Sequence, residues 1–126
     1  MTKHQANLEF WLKKPRNSNY PAAQDYLDLL FSDSIPEKTV KKLKDGKTVV
    51  KKAKDILRAS QLPLLPADNI HVKENIQKVK DGEKLSPVLL VRSKKLIIAD
   101  GYHRVCAIYY LSEDLDIPCR IADLQV

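Results

Sequence analysis

The sequence is short of the residues that define several protein classes. Cys106 and Cys119 are its only two cysteines, too few for a disulfide framework or a zinc site of their own, and no paired histidine spacing completes one. Both read as reduced thiols in core packing. No apolar run approaches the roughly 20 residues that span a bilayer. The start, Met1-Thr2-Lys3-His4-Gln5, lacks the basic-then-apolar layout of a signal peptide. A cytoplasmic protein with no membrane partner is expected. Internal repeats and low-complexity segments are also absent.

What is present points to one folded unit. A chain of 126 residues has room for one domain and one core. Its 44% hydrophobic content is too high for a disordered chain. The formal net charge of +6 favours phosphates or nucleic acid as partners, although solubility alone explains an excess of that size.

The chain divides in character near residue 61. Residues 1–61 read as a helical part packed on a mixed α/β core at 62–126. Phe10, Trp11 and Leu12 look like an apolar anchor on an N-terminal arm. Pro21 opens a helix with Ala22, Ala23, Tyr26, Leu27 and Leu30 at helical spacing. Ser34-Ile35-Pro36-Glu37 has the capping-box form, and Gly46 ends that helix. Thr48 is the expected cap of a third helix, with Val49, Ala53, Ile56 and Leu57 on its apolar side. Lys47, Lys51, Lys54 and Arg58 then share its other side. Further on, Ile70-His71-Val72 reads as extended and residues 73–81 as helical. Val88–Val91 and Leu96–Ala99 read as a hairpin of buried strands, and Ile117–Ile121 as the last strand.

Asp100-Gly101-Tyr102-His103-Arg104 lies where a buried strand gives way to a helix. The first amides of a helix have no intrahelical partners and carry the positive end of its dipole. Gly101 removes a side chain that would block a ligand, and His103 and Arg104 add donors. Basic residues in a first turn oppose the dipole, which favours a bound anion. The competing reading is an ordinary helix start. In it Asp100 caps, Arg104 pairs with a carboxylate, and His103 is a satisfied imidazole.

The strands, this turn, Ala107 and the closing Ile117–Ile121 strand together resemble the ParB/sulfiredoxin superfamily, over residues 62–126. The whole chain also looks like a small bacterial family of unassigned function, marked by Lys54-Asp55-Ile56-Leu57-Arg58-Ala59 and the Asp-Gly-Tyr-His-Arg turn. The resemblance implies a small mixed sheet with helices, and a cradle for a nucleotide of the ATP, ADP or CTP type; Mg²⁺ is the cofactor expected if the chain transfers or hydrolyses phosphoryl groups. Gly101, His103 and Arg104 match the phosphate-contacting positions. Asp100 matches the acidic position of the kinase-type motif, and its expected role is to hold the metal or orient a hydroxyl. Tyr102 stands where sulfiredoxins carry their reactive cysteine, so sulfiredoxin chemistry is not expected. The partition proteins' helix-turn-helix domain is not expected either, because the chain ends at Val126.

Other constellations are weaker. Asp45-Gly46-Lys47-Thr48 is like the end of a P-loop, but position 41 is Lys where that motif needs Gly. Glu113, Asp114 and Asp116 are either Mg²⁺ ligands or a solvated loop. His4 and His71 read as isolated, and Glu74 is a candidate base. Of Tyr109 and Tyr110, one is expected in the core and the other is free to stack on a base. Lys84 and Ser86 are near enough to the hairpin to touch a phosphate. The expected nucleotide- or phosphate-binding set is Gly101, Tyr102, His103, Arg104, Lys54, Arg58 and Ser86. Asp100, His103 and Arg104 form the expected catalytic set for phosphoryl transfer or nucleotide hydrolysis. The alternative is a non-catalytic module that senses a nucleotide or binds nucleic acid or a protein.

Overall fold

The computed structural model describes residues 8–126. It is a mixed α/β fold. In chain order the elements are α1 (Asn19–Leu30), α2 (Ile35–Asp45), β1 (Val49–Lys52), α3 (Ala53–Ser60), α4 (Ile70–Lys80), β2 (Val88–Arg92), β3 (Leu96–Asp100), α5 (Tyr102–Leu111) and β4 (Asp116–Asp123). The four strands form one sheet in the order β1-β4-β2-β3. β4 runs antiparallel to β1 and parallel to β2, and β2 and β3 form the expected antiparallel hairpin.

Helices cover both faces of this sheet. On one face α3, α4 and α5 bury Ile56, Val72 and Val105 against Val88, Leu90 and Ile98. On the other, α1 and α2 bury Leu27 and Leu43 against Leu89, Val91 and Ile97. Successive strand residues point to opposite faces, so a strand covered on both sides reads as a continuous apolar run. That is why Val88–Val91 and Leu96–Ala99 were legible. Trp11 is buried and pairs with Leu85, which pins the arm as its apolar residues suggested. Cys106 and Cys119 are free and buried, and burial pushes the Cys119 thiol up to about 12.

Several local expectations are corrected. Val49–Lys52 is a strand, and the helix starts only at Ala53. Residues 1–61 are therefore not wholly helical. They supply an edge of the sheet, and Ala53, Ile56 and Leu57 lie in the same core cluster as Val88 and Val105. Ile70-His71-Val72 is the first turn of α4, because the Asn69 side chain caps the amides of His71 and Val72 at 3.0 and 3.2 Å. Ser34 makes no side-chain cap. His4 lies outside the described residues.

Thr48 caps nothing and instead accepts a hydrogen bond from Arg120 Nε at 3.3 Å. Arg120 Nη1 also donates to the carbonyls of Leu43 (3.3 Å) and Lys44 (2.7 Å), near the C-terminal end of α2. A cation there satisfies orphan carbonyls and complements the dipole. Arg120→Met should cost about 1–3 kcal/mol. Urea denaturation checks this: the midpoint should fall with an unchanged slope, and an unchanged midpoint would remove Arg120 from the account.

Candidate functional site

The strand β3 ends at Asp100, and Gly101 turns the chain into α5. Gly101, not Asp100, is the N-cap residue, with φ of 112°. It has no side chain to cap with, and no acidic residue lies in the first turn of α5. The amides of Tyr102 and His103, at the start of that turn, lie N-terminal to the first amide that finds an intrahelical acceptor. A Cβ at Gly101 would come within 2.9 Å of both a Val88 methyl and Arg104 Nη2. The glycine is thus required by the close approach of β2 as well as by its backbone angle.

Asp100 has a different task from the expected cap. Its Oδ2 accepts a hydrogen bond from Arg104 Nη2 at 3.0 Å, and the two side chains are only 18% and 16% exposed. This is the carboxylate pairing of the ordinary-helix reading. It leaves the guanidinium incompletely used, because Arg104 Nε is buried with no hydrogen-bond partner among the described residues.

Arg104 stands between two cavities. The smaller, about 320 Å³, is lined by His71, Glu74, Asn75, Lys78, Asp100, Gly101, His103 and Arg104. The larger, about 790 Å³, takes in Arg16, Ser18, Asn19, Lys84 and Ser86 and again includes Asn75, Lys78 and Arg104. Four cationic side chains, Arg16, Lys78, Lys84 and Arg104, therefore share one continuous set of lining residues. The carboxylates among them are Glu74, Glu83 and Asp100. The Asn19 side chain accepts from the Arg16 amide at 2.8 Å, which shapes the turn carrying Arg16. Lys84 is anchored through the Glu9 carbonyl at 2.7 Å.

The first turns of α4 and α5 meet at this cleft. The rings of His71 and His103 lie 4.9 Å apart, so His71 is not isolated. Burial lowers the pKa of His103 below its ordinary value, and the charges of His71 and Arg104 lower it further. The unfolded chain thus takes up this proton first. The histidine is neutral in both states above its ordinary pKa of about 6.5, and it costs stability as pH falls from there through its folded value. A bound anion reverses the shift. NMR titration should give a His103 midpoint below that of a free histidine in the apo protein, moving upward in saturating pyrophosphate. A midpoint unchanged by pyrophosphate would count against an anion beside the ring.

The structure brings Gly101, His103, Arg104, Asp100 and Ser86 to this cleft, with the candidate base Glu74. It takes Lys54 and Arg58 elsewhere. They line a separate depression with Leu57, Gln61 and Tyr109, and neither lines the two cavities at Arg104. Lys54 Nζ meets Asp114 at 3.0 Å, and that carboxylate raises the lysine's pKa. Arg58 meets Asp55 at 3.5 Å. Lys51 is on β1, so the expected four-cation helix face does not form.

The Tyr102 hydroxyl donates to the Pro63 carbonyl, and the Tyr110 hydroxyl to that of Leu65. Both tie α5 to the segment that follows α3. Tyr110 is exposed and Tyr109 half-buried, with the Tyr109 hydroxyl donating to Glu113 at 3.3 Å. Among the described residues, no three His, Cys, Asp or Glu side chains converge to hold a metal.

Arg16, Asn75, Lys78 and His71 were missed as site residues. Only His71 had a local signal, being a basic residue in the first turn after a capping Asn69, the same argument that singled out His103. Compared with family models, curated proteins and solved structures, the chain matches none. No helix of the described residues is long and apolar enough to cross a membrane.

Proposed function

We propose that the chain binds the phosphate groups of a nucleotide or other phosphate ester in the basic cleft centred on Arg104. The observation that carries this reading is the half-used guanidinium: a paired arginine with a buried, unpartnered Nε, standing where two cation-lined cavities join. A buried donor without a partner costs about 1–3 kcal/mol. A phosphate that draws the guanidinium outward relieves that cost and takes two parallel hydrogen bonds from it. The uncapped start of α5 adds backbone amides. The likeness of residues 62–126 to the ParB/sulfiredoxin superfamily supports the same ligand class.

Catalysis is a further step of this proposal. Neutral His103 is suited to exchange a proton with a phosphate oxygen or an acceptor hydroxyl, and Glu74 is the carboxylate placed to serve as base. Arg104 would offset charge developing on a transferred phosphoryl group. Mg²⁺ has no three-ligand protein site among the described residues. Arriving with a nucleotide, it would take Asp100 together with phosphate oxygens and water, neutralising phosphate charge.

Thermal unfolding with ATP, ADP, CTP, GTP and pyrophosphate, each with and without Mg²⁺, tests the reading. A specific ligand at a hundredfold above its dissociation constant stabilises by about 2.7 kcal/mol. No shift with any of them, in a sample that unfolds cooperatively, would sink the proposal.

A further inference from the structure

A further cavity, of about 420 Å³, lies along the outer edge of β3. Leu96, Ile97 and Ile98 all line it. These are consecutive strand residues. Leu96 and Ile98 pack into one core layer and Ile97 into the other. Three residues that alternate between faces can share a cavity only if it runs beside the strand, along its backbone. Among the described residues β3 is the last strand of the sheet and is laddered to β2 alone. The cavity is therefore a groove with an open strand edge as its floor.

The banks are apolar and come from both layers. Tyr26 and Leu30 of α1 stand on one side, and Leu62, just beyond α3, on the other. Tyr26 and Leu30 are 43% and 48% exposed, although both flank buried strand residues. Lys94 and Lys95, on the hairpin turn, stand at one end, and among the described residues no acidic side chain lines the groove. The opposite edge of the sheet is different. β1 is four residues long, wholly exposed and carries Lys51 and Lys52. Short, lysine-bearing edges resist pairing with another chain. The β3 edge has no such charge within Leu96–Ile98.

We propose that this groove receives an extended acidic peptide segment of a protein partner, which adds to β3 as a fifth strand. The partner's backbone continues the ladder. Its alternate apolar side chains rest on Tyr26, Leu30 and Leu62, and its carboxylates meet Lys94 and Lys95. Charge selects the occupant: two lysines at the mouth with no acid on the walls favour an anionic segment and disfavour a basic one.

The full chain is titrated into a fluorescein-labelled peptide of roughly eight residues that alternates valine and threonine between terminal glutamates, followed by anisotropy. Saturable binding is expected, at least about tenfold tighter than for the same peptide with terminal lysines. Lys94→Glu with Lys95→Glu, both on an exposed turn, should reverse that preference. N-methylation of alternate peptide amides should abolish binding in one phase and spare it in the other, because only every second amide faces β3. Equal binding of the acidic and basic peptides, tolerance of methylation in both phases, or no binding at all would overturn the proposal. So would a concentration-dependent dimer in sedimentation that the two lysine substitutions disrupt, since the groove would then belong to a second copy of this chain.

Discussion

Arg104→Ala should abolish the thermal stabilisation that a phosphate ligand confers, about 2.7 kcal/mol at a hundredfold excess over its dissociation constant. The guanidinium, with Asn75 and Lys78, lines both halves of the cleft. Its loss removes the fork that faces both halves and leaves the α5 amides, His71, His103, Arg16 and the flexible lysines to meet a phosphate. Arg104→Lys keeps the charge but not the fork, so it should retain only part of the effect. The substitution also has a cost in the free protein. Asp100 would keep a largely buried carboxylate without its 3.0 Å partner, destabilising the fold by about 1–3 kcal/mol. Adding Asp100→Asn should recover part of that stability without recovering ligand binding. A ligand-induced shift that persists in Arg104→Ala would place the site elsewhere in the molecule. Recovery of binding by Asp100→Asn would show that the alanine variant had failed through folding alone.

Gly101→Ala is expected to destabilise the protein by about 1–3 kcal/mol even without ligand. Two separate effects act in the same direction. The backbone angle of 112° is one that residues with a Cβ rarely adopt. The added methyl would also sit 2.9 Å from a Val88 methyl and from Arg104 Nη2. Val88 is fully buried in the sheet and has little freedom to yield. Denaturant unfolding gives the magnitude. A stability equal to that of the original chain would mean that the turn relaxes to a different backbone conformation. The second contact also predicts that Gly101→Ala disturbs Arg104, so ligand affinity should fall along with stability.

The parts of this architecture that were legible in the sequence share one property: their side chains alone declare their surroundings. Val88–Val91 and Leu96–Ala99 are apolar without interruption because both faces of the sheet are covered. The Asp100–Arg104 turn was legible because a strand ending in Asp-Gly before basic residues has few alternatives. β1 was not legible. Val49-Val50-Lys51-Lys52 is exposed throughout, so no burial pattern marks it, and it becomes a strand only because β4 pairs with it from 64 or more residues further along, as Lys52 opposite Asp116 shows. Strand preference depends on neighbours that a linear reading cannot supply. The same holds for Lys54 and Arg58. As members of one basic helix face they looked like companions of the turn. With the helix starting at Ala53 they instead meet Asp114 and Asp55 in another depression.

By itself, then, the sequence determined a mixed α/β domain, its hairpin and final strand, and a glycine turn with a histidine and an arginine at a helix start. Each of these follows from short-range chemistry: periodicity, backbone freedom and the unpaired amides of a first helical turn. Tertiary structure decided the rest. It put Arg16, from the turn before α1, and His71 and Lys78, both from α4, around the same arginine. It turned Asp100 from the expected cap into that arginine's partner, and among the described residues it set β3 at the sheet edge beside a groove flanked by α1 and the end of α3. Distances across a fold are set by how whole layers pack, and no local pattern of residues records them.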